Sequence, residues 1–131
     1  MAGPVRDGPA MIAQMSPRLD ERRWCFVYVT PDRAPELLGS ALGTFREDEG
    51  VSAIVPAHLA AEDAPVFSRV VLEVFSDLEG VGLTAAVSGA LAKAGIACNI
   101  VAALHHDHVF VPEGRVAEAL GILQELAAAQ G

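Results

Sequence analysis

The strands, helices and glycines of this chain follow a pattern that occurs twice, and this repeat limits the folds open to it. The sequence EDEG-VSAIV at residues 47–55 is echoed by AKAG-IACNIV at residues 92–101. In each copy a helix is predicted to stop at the glycine, and a strand rich in β-branched residues follows. The order βαβ and then βαββα predicts an α/β fold of the α+β, ferredoxin-like type, with a largely antiparallel sheet and helices on one face.

The pattern predicts three segments. Residues 1–19, rich in Gly, Pro and Met, are expected to form a flexible N-terminal segment, residues 20–63 the βαβ half, and residues 64–131 the βαββα half. In the first half, apolar residues at helical spacing between Leu37 and Phe45 predict one helix that continues to Gly50.

The composition excludes several classes of protein. The net charge is −8, which argues against nucleic acid and anionic membranes as partners, because both attract basic surfaces. No apolar run approaches the ~18 residues that span a bilayer, and the N-terminus lacks the apolar core of a secretory signal. We therefore expect a cytoplasmic protein, with Cys25 and Cys98 as reduced, buried thiols in strands.

The sequence SDLEGVGLT at residues 76–84 joins a predicted strand to a helix of small residues. Gly80 and Gly82 allow close approach of a ligand and a positive φ. The N–H groups from about Val81 to Thr84 precede the first intrahelical bond, so a carboxylate bound there would gain hydrogen bonds and the helix dipole. The same spacing also fits a simple capping turn, and it matches no phosphate-binding motif.

Two further residues stand out near this loop. Asn99 lies in an otherwise apolar strand, where its amide needs a hydrogen-bond partner, either a ligand or a neighbouring loop. Gly89 lies in a helix interior at a cost of about 1 kcal/mol relative to Ala. Close packing within the chain and a dimer interface explain Gly89 equally well.

The polar run His105, His106, Asp107 and His108 is the strongest alternative site. Because neighbouring strand residues point to opposite faces, at most His106 and His108 converge, which is too few for a zinc site. We therefore expect a polar hairpin tip with Asp107 as its turn residue and no bound metal. The sequence also contains no serine in a nucleophile elbow and no distinct acid–base pair, so we expect neither catalytic residues nor a cofactor.

Residues 70–126 resemble the ACT domain, a ferredoxin-like regulatory module of amino-acid metabolism. Residues 19–127 resemble more closely a small stand-alone ACT family that pairs a truncated N-terminal half with a fuller C-terminal domain. The motifs that carry this resemblance are TFREDEG, SDLEGVGLTAAVS, AGIACNIVAALHHDHVFVP and the terminal helix.

The resemblance implies a ligand site and an assembly. ACT domains bind small effectors, usually amino acids, in the loop after the first strand, and they commonly pair side by side. The implied ligand-binding residues are Asp77, Gly80, Val81, Gly82, Leu83 and Thr84 of the loop, with Ala97 and Asn99 of the facing strand.

The sequence therefore predicts a non-enzymatic, homodimeric regulatory protein that binds a small molecule, an amino acid by expectation. Its carboxylate would meet the N–H groups of residues 80–83, and its amine would meet Asn99 or a strand carbonyl. Two alternatives stay open. One is a structural or partner-binding ACT module without a ligand, and the other is a metal-dependent hydrolase that uses His105, His106 and His108.

Overall fold

The computed structural model describes residues 3–130 of the chain. In chain order the helices and strands are α1 Gly8–Ala13, β1 Pro17–Tyr28, α2 Ala34–Ser40, β2 Gly43–Glu47, β3 Gly50–Pro56, β4 Phe67–Leu72, α3 Leu83–Lys93, β5 Asn99–Ala102, β6 Asp107–Pro112 and α4 Val116–Gln130. Short 3-10 turns precede α2 and α4 and follow β3. None of these helices is long and apolar enough to cross a membrane.

The chain divides into two compact units, and strand β1 contributes to both. Residues 22–67 form one unit, in which the strand order is β2, β3, β1 and both pairings are antiparallel. Its small core contains Val29 of the segment after β1, Leu37 of α2, and Ala53 and Val55 of β3. Ala53 and Val55 are two residues apart and so share one face of the strand.

The other unit contains residues 3–21 and 68–130, and it holds the larger core. Its strand order is β1, β4, β6, β5, with α1, α3 and α4 packed against one another. Leu83, Val87 and Leu91 recur every fourth residue of α3 and are buried, so this helix presents one apolar stripe to the core. The predicted α+β, ferredoxin-like fold is confirmed.

The predicted helix across residues 35–50 was wrong in its second half. Helix α2 ends at Ser40, because Ala41 is extended (φ −67°, ψ 137°), and a hairpin of β2 and β3 follows. The helical spacing had included Phe45, but this aromatic side chain is 72% exposed on β2 and belongs to no core. Gly50 begins β3 with a φ of +136°, and this conformation favours glycine.

The prediction of a flexible N-terminal segment was also wrong for its described part. Residues 8–13 form helix α1, whose N-terminus is capped by the Asp7 carboxylate, with Oδ2 3.0 Å from the Ala10 N–H. Met11 and Met15 are fully buried in the core. The prediction rested on the Gly, Pro and Met content of this segment, but proline is well tolerated in a first helical turn. Residues 1 and 2 lie outside the described residues.

Neither cysteine forms a disulfide bond. Cys25 is buried in β1, whereas Cys98 is partly buried just before β5. Burial raises the pKa of the Cys98 thiol, so its reactive thiolate form is disfavoured.

Candidate ligand-binding site

The loop between β4 and α3 is shaped by its own hydrogen bonds. The Asp77 carboxylate accepts from the Glu79 N–H at 2.8 Å, and the Asp77 carbonyl accepts from the Gly80 N–H at 2.9 Å. The chain then turns into α3 through Gly82, whose φ of +119° favours glycine. The Gly80 N–H is thereby engaged inside the loop. Backbone N–H groups that could bind a ligand must therefore lie later in the chain than Gly80.

The N-terminus of α3 presents those donors. The first intrahelical bond runs from the Ala86 N–H to the Gly82 carbonyl, at 2.9 Å. The N–H groups of Leu83, Thr84 and Ala85 therefore precede the helical ladder. No side chain caps this end of α3 within the part of the chain that the structure describes. A bound anion would meet these N–H groups and the positive end of the helix dipole.

A recess of about 100 Å³ opens at this helix end. Its walls come from the loop, from α1 and from the end of the β5–β6 hairpin, all within one compact unit. They comprise Met11, Ser76, Asp77, Leu78, Gly80, Gly82, Leu83, Thr84, Ala102 and Asp107.

Five of the eight predicted ligand-binding residues lie together in this recess: Asp77, Gly80, Gly82, Leu83 and Thr84. The other three do not line it. Val81 lies on the surface with 82% of its side chain exposed, and Ala97 and Asn99 are also exposed. Asn99 pairs with Phe110 at the start of β5, whereas Ala102 at the far end of that strand reaches the recess.

Asp107 is the principal residue of the recess that the sequence reasoning misplaced. It was expected at a hairpin tip, but it lies in β6, opposite Ala102, with only 6% of its surface exposed. The reversal precedes it and is closed by a bond from the Ala103 N–H to the His106 carbonyl. Strand alternation could have found it, because Asp107 has the same parity as the fully buried Val109 and Val111.

The Asp107 carboxylate is held in position by Ser76. The Ser76 hydroxyl donates to Asp107 Oδ2 at 2.8 Å, which joins the loop to β6 across the recess. A buried carboxylate costs free energy unless it is hydrogen-bonded and meets a positive charge. The recess therefore contains a buried carboxylate as well as the N-terminal end of α3, where the helix dipole is positive.

The N-terminal segment is bound to the same loop. Val5 forms a parallel bridge with Ser76, in which the Val5 N–H donates to the Phe75 carbonyl at 2.7 Å and the Asp77 N–H to the Val5 carbonyl at 2.8 Å. Helix α1 then lies directly over the loop. A Cβ built on Gly8 would stand 2.6 Å from the Val81 carbonyl oxygen.

A buried ion pair lies beside His108, the residue that follows Asp107. The Arg69 guanidinium on β4 donates to Asp20 Oδ2 through Nε at 3.0 Å and Nη2 at 2.9 Å, and both side chains are less than a tenth exposed. Arg69 Nη1 also lies 3.1 Å from Nδ1 of His108. Because a guanidinium only donates, Nδ1 must accept, and this requires a neutral imidazole.

The three histidines of the polar run take separate partners. His105 packs against the Phe75 ring with centroids 5.2 Å apart, His106 Nε2 is 3.9 Å from Glu73 Oε2, and His108 contacts Arg69. Between residues 3 and 130 there is no group of three His, Cys, Asp or Glu side chains arranged to hold a metal ion.

The contact with Arg69 predicts how stability depends on pH. Burial, the Arg69 charge and then His106 lower the pKa of His108 below its usual value near 6.5, with Arg18 adding to this and Asp107 opposing it. As the pH falls below about 6.5, the unfolded state takes up the proton first. The stabilisation that the neutral His108 gives the folded protein is therefore complete above about pH 6.5. It is lost as the pH falls towards the lowered pKa of His108 in the folded state.

This pH dependence can be measured by urea unfolding of the wild type and His108→Gln between pH 8 and pH 5. Glutamine can accept from Arg69 but does not titrate. We expect the wild type to lose more stability than the variant as the medium is acidified. If stability fell equally with pH in the two proteins, a neutral His108 that accepts from Arg69 would be contradicted.

A second, more open recess of about 330 Å³ shares Ser76, Asp77 and Leu78 with the first. Its remaining walls are Pro4, Phe75, Glu79 and Leu104. It contains neither the helix N-terminus nor Asp107, so it lacks the pair of opposite binding groups that distinguishes the smaller recess.

Family models for the ACT domain match this chain twice in tandem, over residues 5–69 and 69–125. The chain belongs to the ACT-domain family. These matches confirm the resemblance drawn from the sequence motifs. The second match includes the loop between β4 and α3 as well as helix α3 itself. Membership of this family supports a regulatory, ligand-binding module.

Several solved structures share the fold of this chain. A Vibrio cholerae protein of unknown function, described as a possible transport protein, is 36% identical with a TM-score of 0.75, covering 87% of this chain and 91% of that one. The ligand-free regulatory subunit of aspartate kinase from Thermus thermophilus is 12% identical with a TM-score of 0.62, covering 86% of this chain and 97% of that one. A structure of aspartokinase α and β subunits is 16% identical with a TM-score of 0.60, covering 84% of this chain and 95% of that one. No curated protein matches the chain.

Proposed function

We propose that this protein is a non-enzymatic regulatory module that binds a small amino acid in the recess at the N-terminus of α3. The observation that carries the proposal is the pairing of opposite groups there. Asp107 supplies a buried carboxylate, while the uncapped helix end supplies N–H donors and a positive dipole. A zwitterion satisfies both groups at once, whereas a simple anion or cation satisfies only one.

The ligand carboxylate would lie against the N–H groups of Leu83 and Thr84, flanked by Gly82. Its ammonium group would lie against Asp107, with Asp77 adding negative charge at the edge. This differs from the sequence expectation at two residues, since the Gly80 N–H is bonded to Asp77 and Asn99 lies outside the recess. The other implied contacts, Val81 and Ala97, remain predictions of the family resemblance.

The oligomeric state, the location and the division of the chain into halves are proposed from the sequence and from the family. We propose a homodimer in the cytoplasm that has neither nucleic acid nor a membrane as a partner, with an N-terminal ACT-like half at residues 20–63 and a C-terminal domain at residues 64–131. The negative charge of the chain supports the exclusion of nucleic acid. The two tandem family matches support the division into halves.

A second candidate is an ACT module without a ligand, and one contact favours it. Met11 of α1 packs into the wall of the recess and leaves little free volume. If the remaining space holds only water, the module would act through protein contacts alone.

Thermal denaturation with a panel of the standard amino acids distinguishes the two candidates. The protein is first unfolded, dialysed and refolded to remove any bound ligand. A ligand at about 100 times its Kd adds about 2.7 kcal/mol to the stability of the native state, so at least one small amino acid should raise the midpoint by several degrees. A flat response to the whole panel would support the ligand-free module.

A further inference from the structure

The recess is small, and the longest side chain that reaches it from outside the loop is that of Met11. Its volume is about 100 Å³. Sites for drug-sized ligands begin near ~300 Å³. Most of the walls are loop backbone, short side chains or strand residues, but Met11 enters from α1.

Met11 is held against the loop rather than free to move aside. It is only 1% exposed, and a Cβ built on Gly80 would stand 2.9 Å from its Cε and 3.0 Å from its Sδ. The thioether end of the side chain therefore rests on the backbone of the binding loop. Methionine is intrinsically flexible, so the restraint comes from its surroundings.

The surroundings of Met11 are fixed at several points. The Asp7 cap begins α1, and Val5 is hydrogen-bonded to the loop on both sides of Ser76. Gly8 lies so close to the Val81 carbonyl that α1 has no room to approach further. The helix that carries Met11 and the loop that binds the ligand are therefore positioned as one piece.

We infer that Met11 is a specificity-determining residue that restricts the recess to the smallest amino acids, such as glycine, alanine and serine. The inference rests on the proposed function. A larger side chain would have to displace the methionine end from Gly80, and Met11 cannot leave without breaking its core packing. Discrimination by one or two methylene groups in an apolar pocket reaches roughly 10- to 100-fold.

Calorimetric titration tests this with glycine, alanine, serine, leucine and phenylalanine against the wild type, Met11→Ala and Met11→Leu. We expect the wild type to bind the three small ligands at least about tenfold more tightly than the two large ones. Met11→Ala should bind the large ligands at least about tenfold better than the wild type does. Met11→Leu, which conserves volume, should keep the wild-type preference.

Gly80→Ala keeps the test decisive if Met11→Ala does not fold. Its new methyl group would stand 2.9 Å from Met11 Cε, so the two side chains would crowd each other at this wall of the recess. It should therefore weaken serine binding more than glycine binding. Equal weakening of the two would count against a size limit at this contact.

Failure of the inference differs from failure of the proposed function. If the wild type binds leucine as tightly as glycine, or Met11→Ala shows no broadening, the size limit is overturned while amino-acid binding stands. If no amino acid binds to any of the proteins, both are overturned.

Discussion

Replacing Asp107 by asparagine is expected to weaken amino-acid binding roughly 10- to 100-fold without unfolding the protein. The carboxylate is the buried negative group of the recess, and it would accept a hydrogen bond from the ligand ammonium. Hydrogen bonds to charged groups contribute about 1.5–3 kcal/mol, which corresponds to this loss of affinity. Asparagine keeps an oxygen that can accept from Ser76 Oγ, so the link between the loop and β6 is retained.

The matched control for this substitution is Glu79→Gln. Glu79 belongs to the same loop and carries the same charge, but its side chain is exposed and does not line the smaller recess. Calorimetric titration of both variants separates the effect of one buried carboxylate from the effect of net charge. Wild-type affinity in Asp107→Asn would show that the ammonium group binds elsewhere. An equal loss in Glu79→Gln would show that only the overall charge matters.

Replacing Arg69 by alanine is expected to cost about 3–5 kcal/mol of stability, because it removes the guanidinium from a buried ion pair and leaves the Asp20 carboxylate in the interior. The midpoint of thermal unfolding should fall by roughly 10–20 °C for a chain of this size. His108 also loses its guanidinium partner in this variant.

Arg18→Ala provides the comparison for a surface ion pair. Arg18 contacts Glu73, but its side chain is 56% exposed, and such pairs contribute about 0–1 kcal/mol. Circular dichroism of both variants during heating measures the difference. If Arg69→Ala loses no more stability than Arg18→Ala, the buried pair is not a major source of stability.

The sequence predicted those parts of the fold where local pattern and tertiary packing agree. Helix α3 was predicted because its apolar stripe, its opening glycine and its closing Gly95 all indicate the same element. The hairpin at residues 43–56 was predicted only in part, because Leu42 and Phe45 happen to follow a helical period although both are exposed. An apolar period indicates a helix only where those residues are in fact buried.

The recess was predicted on one side only, since three of its ten lining residues come from distant parts of the chain. The loop glycines and the start of α3 are local features and were found. Met11 and Asp107 reach the recess through tertiary packing, from a helix expected to be flexible and from a strand expected to be a turn. The buried carboxylate of Asp107 was thus absent from the sequence-based site.

The most direct test of amino-acid binding at the start of α3 is a nuclear magnetic resonance titration of isotope-labelled protein with glycine, alanine or serine. The amide resonances of Leu83, Thr84 and the neighbouring Ala85 should move progressively and saturate, because the N–H groups of Leu83 and Thr84 would receive the ligand carboxylate. The same titration of Asp107→Asn should need roughly 10- to 100-fold more ligand. Amide shifts that leave these three residues unchanged, or no saturable shifts with any of the three ligands, would contradict the account.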